Sequence, residues 1–465
     1  MQSTKLRPID DYSQSQVNST VTLHEKPTVD NPDVVCSIFI YFMQALAKCG
    51  KGTELVARSL DLTSAYRQLC IEPASFKYAY VSVFDPTTCA AAPFQQIALP
   101  FGSRTAVNAF IRCARFLQWV AARCLAIPMS CYFDDFVIPS TPGLAGNTQQ
   151  ALSLMFDLLG WAYDRGGDKA DVFSSSVAAL GVVFDLSSAS TGTVLVANTS
   201  KRTAETVELI GATLANQRLS HKQALVLRGR PAFCDAQVFG RTGQLALQAI
   251  TQHAYKKPFD PVFSDHLRDA LLALRLRISS GPPRSVSSLV LEYLCIFTDA
   301  AFQDDFWGGL GGVICTSTGS ILSWFGMALS SEVVSKLMRK EQQVAIGELE
   351  TLAVLLAANI WRSYIGAKRI LFFVDNEGSR FSLIRGYSAS KVISFMCSVL
   401  TSLLDDLFIF PWYARVPSVS NIADPPSRGK PHESLPECRK VDQERLQLVL
   451  EECLEKVVNF HFVVS

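Results

Sequence analysis

Met129-Ser130-Cys131-Tyr132-Phe133-Asp134-Asp135-Phe136-Val137-Ile138 is the stretch on which the reading of the fold turns. Two apolar flanks enclose the acids, so Asp134 and Asp135 fall at the junction of a β-hairpin. Adjacent carboxylates there are costly unless something cationic neutralises them, and a hard divalent ion such as Mg²⁺ suits oxygen ligands. Taken alone, an Asp-Asp pair is also ordinary turn chemistry. Its surroundings decide between the two.

Upstream, in Ser59-Leu60-Asp61-Leu62-Thr63-Ser64-Ala65-Tyr66, Asp61 ends a strand before a short helical turn. Across adjacent strands Asp61 can meet Asp134 and Asp135 and hold two metals, the arrangement that activates an attacking hydroxyl and holds leaving phosphate oxygens. Around these acids, apolar runs at Leu55–Leu62, Tyr78–Phe84, Phe94–Leu99, Met129–Ile138 and Ala178–Asp185 read as strands. Helical spacing marks Val34–Lys48, Thr105–Leu125 and Thr148–Gly160. Strands mixed with helices in this order predict an α+β unit with an antiparallel sheet.

Farther along, Lys201 to Arg284 carries thirteen Lys and Arg against six acids, on a helical pattern. A solvated helical face and a phosphate-tracking surface both fit that surplus. After Gly281-Pro282-Pro283 a second α/β pattern begins, with a strand ending at Asp299 and Gly-rich strand pairs at Leu310–Cys315 and Ile321–Phe325. A long helix (Val344–Tyr364), a strand (Ile370–Val374), a helix (Lys391–Asp405) and a strand (Leu407–Tyr413) follow. The polar amphipathic stretch Val441–Val457 either caps this unit or lies free.

The chain has 465 residues, 49% hydrophobic and 18% charged, which excludes a disordered chain as a whole and suggests two or three compact units. Thirteen cysteines without a Cys-x-x-Cys pair support neither a zinc site nor a secreted disulfide framework, so an intracellular location in cytoplasm or nucleus is expected. No stretch near the start is long enough to span a membrane and no basic-then-apolar leader precedes it, so no membrane partner is expected. A net charge of +1 leaves any nucleic-acid role to local charge.

Several motifs in order resemble the palm of retroelement reverse transcriptases: Leu60-Asp61-Leu62 with Tyr66, Leu99-Pro100-Phe101-Gly102-Ser103, Tyr132-Phe133-Asp134-Asp135, Gly167-Asp168-Lys169, and Leu180-Gly181. Lys5-Leu6-Arg7-Pro8-Ile9-Asp10-Asp11-Tyr12 resembles a fingers strand. The resemblance implies Asp61 and Asp134 as main metal ligands with Asp135 supporting. Tyr66 becomes the aromatic gate that favours deoxynucleotides, against a plain core tyrosine. Phe101 and Gly102 line the nucleotide pocket, Arg7 contacts the phosphates, and Lys169 donates to pyrophosphate unless it is a surface lysine.

A second set of acids lies later: Asp299 in Phe297-Thr298-Asp299-Ala300, Glu350 in Gly347-Glu348-Leu349-Glu350-Thr351, Asp375 after Leu371-Phe372-Phe373-Val374, and Asp424 in Asn421-Ile422-Ala423-Asp424-Pro425-Pro426-Ser427-Arg428. Singly each is bland, since a strand-end Asp caps helices and a helix Glu faces solvent. Together they resemble the Asp-Glu-Asp-Asp set of the ribonuclease H domain joined to reverse transcriptases, and the ending resembles gypsy-like and DIRS-like elements. Glu348 rivals Glu350, and the local pattern favours Glu350. Val416-Pro417-Ser418 stands where some retroviral enzymes carry a histidine, so none is assigned.

The expected architecture is therefore α+β: a right-hand polymerase palm with partial fingers and helical thumb, then an α/β ribonuclease H-like domain. The bounds are 1–58 partial fingers, 59–187 palm, 188–288 thumb or connection, 289–430 nuclease domain and 431–465 tail. The resemblance implies a retrotransposon RNA-directed DNA polymerase, shortened in the fingers, with RNA–DNA hybrid ribonuclease activity. It implies two Mg²⁺ per site (Mn²⁺ as substitute), and RNA template, DNA primer, hybrid and deoxynucleoside triphosphates as partners. The rivals are a non-polymerising nucleic-acid-binding remnant and a nuclease-only enzyme. Each acidic set is expected within metal-bridging reach.

Overall fold

The computed structural model describes residues 10–50, 54–165, 172–238, 243–288, 293–303, 307–337, 346–366 and 368–458. The chain divides into two compact units, residues 1–199 with 284–289, and residues 200–283 with 290–465. The mixed α+β class expected from the sequence is the class observed.

In the first unit, helix α1 (Pro32–Lys48) starts where the Asn31 side chain accepts from the Val34 amide, with Pro32 at its first position, and it buries Val35, Cys36, Phe39 and Met43. Strand β1 (Val56–Asp61) is followed by an exposed hairpin of β2 (Tyr80–Asp85) and β3 (Ala90–Gln95), then by α2 (Arg104–Cys124), β4 (Asp135–Ser140) and α3 (Ala145–Leu158). β1 and β4 pair antiparallel, and β4 is buried along nearly its whole length, its Phe136 and Ile138 sharing one core cluster with Phe110, Leu117 and Phe156.

The run Ala178–Asp185, read as one strand, is two: β5 (Ser176–Ala179) and β6 (Val182–Asp185), antiparallel, joined by Leu180-Gly181 with both residues at positive φ. Gly181 supplies the turn that ends the strand. β7 (Thr193–Asn198) and β8 (Arg284–Ser287) complete this four-stranded sheet. The region read as thumb or connection therefore contributes both its ends to the first unit, a long-range pairing that local periodicity does not reveal.

The second unit opens with helices α4 (Ser200–Asn216), α5 (His221–Val238), α6 (Gln244–Tyr255) and α7 (Asp265–Ser280), which bury Ile210, Leu227, Ile250, Leu271 and Leu274 among themselves. A five-stranded sheet follows: β9 (Tyr293–Phe302), β10 (Gly308–Thr316), β11 (Ile321–Leu329), β12 (Arg369–Val374) and β13 (Phe410–Arg415), in the order β11-β10-β9-β12-β13. β9 and β11 each run antiparallel to β10 between them, and β12 lies parallel to both β9 and β13.

Around the sheet are α8 (Ser331–Leu337), α9 (Ile346–Ile360), α10 (Arg362–Ile365), α11 (Glu377–Arg385), α12 (Lys391–Asp406), the single turn α13 (Asp424–Ser427) and α14 (Gln443–Val458). α9 is buried almost all round, as its uniformly apolar sequence requires. The stretch read as capping or free is α14, and it caps: Leu446, Leu450, Cys453 and Val457, at helical spacing, enter the main core. Among the described residues no helix is long and apolar enough to cross a membrane.

Two candidate carboxylate centres

The first centre grows from the β1–β4 register. Asp61 stands directly opposite Asp135, so the two side chains leave the same face of the ladder. Tyr132 and Asp135 exchange backbone hydrogen bonds of 2.9 Å in both directions, which makes Phe133-Asp134 the two-residue tip of the hairpin. Phe133 is held there at φ +54°, a conformation a bulky residue adopts only when its surroundings enforce it. One enforcing contact is Asp30, buried before α1. Its carboxylate accepts from the Cys131 amide at 2.8 Å and from Gln118 Nε2 at 2.9 Å, and pairs with Arg115 at 2.9 Å. On the other side the Leu62 amide donates to the Asp134 carbonyl at 3.2 Å, so Asp61 and the hairpin tip are tied together by backbone.

Tyr66 is buried beside this tip, stacked on Phe110 at 4.5 Å and edge-on to Phe101 at 5.2 Å. Burial first, and the Asp134 carboxylate second, push its hydroxyl above the ordinary tyrosine range. Tyr66 and Phe101 thus form one aromatic wall next to the acids. Gly102 does permit a close approach, and the group that approaches is the chain at Asp10: a Cβ on Gly102 (φ +123°) would lie 2.1 Å from the Asp10 carbonyl oxygen. Arg7 and Lys169 lie outside the described residues.

The second centre is more tightly gathered. Asp299, Glu350 and Asp375 place carboxylate oxygens all within 4.8 Å of one another, and they are the only such three-ligand group among the described residues. Asp61, Asp134 and Asp135 sit together at one end of the β1–β4 ladder without meeting that standard.

Asp299 is not at a strand end. β9 runs on to Phe302, and Asp299 is 2% exposed. It stands in the strand because its polar partners come from the segment packed on the sheet: Ser427 Oγ donates to one carboxylate oxygen at 2.6 Å and Asn421 Nδ2 to the other at 3.2 Å. That segment lies against backbone. A Cβ on Gly311, the residue opposite Asp299, would stand 2.3 Å from the Ala423 carbonyl oxygen, and one on Gly309 2.0 Å from that of Ser427. The glycine-rich pattern of β10 is the seat for α13.

Asp375 follows β12, where Ser418 Oγ donates to it at 3.0 Å. Asn421, Ser427 and Ser418 are residues whose roles the sequence reading did not assign. The first two lie inside the quoted Asn421–Arg428 motif, and Ser418 is the residue noted there only as not being histidine.

Burial dominates the electrostatics. It pushes the Asp299 carboxyl up to about 7, against the Ser427 hydrogen bond and with added repulsion from Asp375 and Asp424. It pushes Glu350 up to about 10, with repulsion from Asp299 and Asp375 adding to it. Glu350 Oε2 is buried with no hydrogen-bond partner. Glu348, the rival, accepts from Ser390 Oγ at 2.7 Å instead. Asp424 is near enough to act on Asp299 but is held by Arg428, whose Nε and Nη2 both reach Oδ1, at 3.0 and 2.8 Å. Three mutually repelling acids, one with an orphaned oxygen, fit a divalent cation.

No family model and no curated protein matches the sequence. Among solved structures, the foamy viral protease-reverse transcriptase dRH in complex with double-stranded DNA is similar with a TM-score of 0.46 and 13% identity. That match covers 89% of this chain and 64% of the viral one, so the chain spans less than two thirds of that protein. The foamy viral protease-reverse transcriptase in complex with dsDNA gives TM-score 0.45 and 14% identity over 86% and 73%. RNase H1 from the archaeon Halobacterium salinarum NRC-1 gives 0.25 and 15%, over 30% of this chain and 96% of that one.

Proposed function

We propose that the chain cleaves the RNA strand of RNA–DNA hybrids at the Asp299–Glu350–Asp375 centre and extends DNA on an RNA template at the Asp61–Asp134–Asp135 hairpin, as part of retrotransposon replication. The observation that carries the reading is the converging triad, with Asp299 and Glu350 buried, Asp375 half-buried and one Glu350 oxygen orphaned. Asp299, Glu350 and Asp375 would hold Mg²⁺ or Mn²⁺, with Asp424 at the margin. The metal would supply charge to activate water and to hold the leaving oxygen of a phosphodiester. Asn421, Ser427 and Ser418 orient the carboxylates so that their oxygens converge, and the dry sheet face behind them strengthens every charge interaction.

The polymerase reading rests on the hairpin: Asp61 facing Asp135, the strained Phe133 and the Tyr66–Phe101 wall. Tyr66 would sit under the incoming sugar and reject a 2′-hydroxyl by contact. RNA template, DNA primer, hybrid and deoxynucleoside triphosphates are the corresponding partners, held through phosphates, with the basic helices α4–α7 as part of the track.

Primer extension on an RNA template and cleavage of a labelled hybrid, both with Mg²⁺, test the two activities together. Asp134→Asn abolishes extension and leaves cleavage; Asp375→Asn does the reverse. Cleavage without any extension in the unmodified chain would reduce the reading to a nuclease, and hybrid binding with neither activity would reduce it to a remnant.

A further inference from the structure

Thirteen free cysteines are dispersed through the chain, and two of them meet. Cys295 on β9 and Cys315 on β10 are register partners across the antiparallel ladder, and each thiol lies close enough to shift the titration of the other. Directly opposed residues in such a ladder have Cα atoms roughly 4.5–5.5 Å apart, inside the span a disulfide bridges. The two thiols differ in access: Cys315 is buried, whereas Cys295 is partly open to solvent. Strand alternation puts Cys295, Phe297 and Asp299 on one face of β9, so the pair shares the sheet face that carries Asp299.

Two bland readings fail to account for the pair. A buried cysteine acting as a small apolar residue needs no thiol partner, yet each of these has the other. A metal clip needs further ligands, and among the described residues the only close group of three ligating side chains is Asp299, Glu350 and Asp375.

We infer that Cys295 and Cys315 form an oxidisable cross-strand dithiol that closes to a disulfide when a small peroxide reaches Cys295. The solvent-facing Cys295 sulfur attacks the peroxide, the O–O bond breaks, and Cys295 becomes a sulfenic acid with release of one water. The Cys315 sulfur then displaces the hydroxyl, the S–S bond forms and a second water leaves. Overall two thiols lose two hydrogens and the peroxide is reduced to two waters. The short reach of the partner sulfur captures the sulfenic acid before a second peroxide oxidises it further. Burial raises both thiols, that of Cys315 up to about 11, so the pair rests protonated and the attack on peroxide runs through the thiolate fraction of the more open Cys295. Reduction by an added dithiol restores the starting state.

The test treats the folded full chain with hydrogen peroxide, alkylates the remaining thiols after denaturation, and maps the non-reduced digest by mass spectrometry. The expected result is a Cys295–Cys315 linked peptide, lighter by two hydrogens than the sum of its parts and lost on reduction. Cys295→Ser and Cys315→Ser each abolish it, and Cys315→Ser accumulates the sulfenic or sulfinic acid at Cys295 at least tenfold over the unmodified chain. Thermal melts of both variants establish that they are folded. Cys295 over-oxidised in the unmodified chain without a link, a link from either residue to a different cysteine, or two intact thiols after treatment would each overturn the inference.

Discussion

Glu350 offers the sharpest test, because burial, ahead of its charged and hydrogen-bonding neighbours, sets its state. Its carboxyl, held near 10 in the folded chain, titrates near 4.5 when unfolded. Between those limits the unfolded chain carries the charge and the folded one does not, so stability present below pH 4.5 is lost as pH rises toward 10. The slope is about 1.4 kcal/mol per pH unit, or roughly 2.7 kcal/mol from pH 6 to pH 8, and it requires only that this window lie between the two values. Glu350→Gln keeps the shape and removes the titration. An amide left without an acceptor would cost the same at every pH, so the slope is the quantity to compare. Asp299, held near 7, contributes to both proteins and cancels. Urea unfolding with a chelator at pH 6, 7 and 8 should therefore show the unmodified chain losing about 2–3 kcal/mol relative to the variant. Mg²⁺, which binds the ionised acids, should restore that loss in the unmodified chain and do less for Glu350→Gln. Parallel pH profiles in chelator would mean that Glu350 is hydrated and charged, and the argument from burial would fail with it.

Three further changes test other parts of the structure. Gly311→Ala puts a methyl 2.3 Å from the Ala423 carbonyl oxygen and so lifts α13 off the sheet; hybrid cleavage should fall more than tenfold and stability by about 1–3 kcal/mol, while primer extension persists. Asp30→Ala removes the acceptor shared by Cys131, Gln118 and Arg115; a cost of about 3 kcal/mol in urea unfolding and a loss of extension are expected, with hybrid cleavage unchanged. Asp235, fully buried on α5, is pushed up to about 6 by burial, although Arg277 Nε lies 3.7 Å away. Its contribution to stability is therefore lost as pH rises from the ordinary carboxylate range through 6, and Asp235→Asn should gain about 2 kcal/mol on the unmodified chain between pH 4.5 and 8. A gap between the two proteins that does not widen with pH would show the Arg277 pair, and not burial, to be in control.

What the sequence made legible was direction, and what it concealed was company. The apolar run before Asp375 marks a strand whose end carries an acid, and β12 ends at Val374 as read. The spacing of Asp61 from its helical turn marked the end of β1, and β1 ends there. Asp299 was misplaced because Ala300-Ala301-Phe302 continues a buried strand past a charge, a continuation that only its partners Ser427 and Asn421, more than a hundred residues away, make tolerable. The same reasoning separates Glu348 from Glu350. Both are buried on α9, and two residues turn a helix through about 200°, so they face nearly opposite ways. Periodicity says only that one of them points where the other does not. The choice belongs to the neighbours: Ser390, capping α12, satisfies Glu348, whereas the side chains that face Glu350 are two other acids, with one backbone amide, that of Ala300, beside them. An acid surrounded by donors is structural, and an acid surrounded by acids needs a cation. That distinction is a property of the assembled core and cannot be read along the helix.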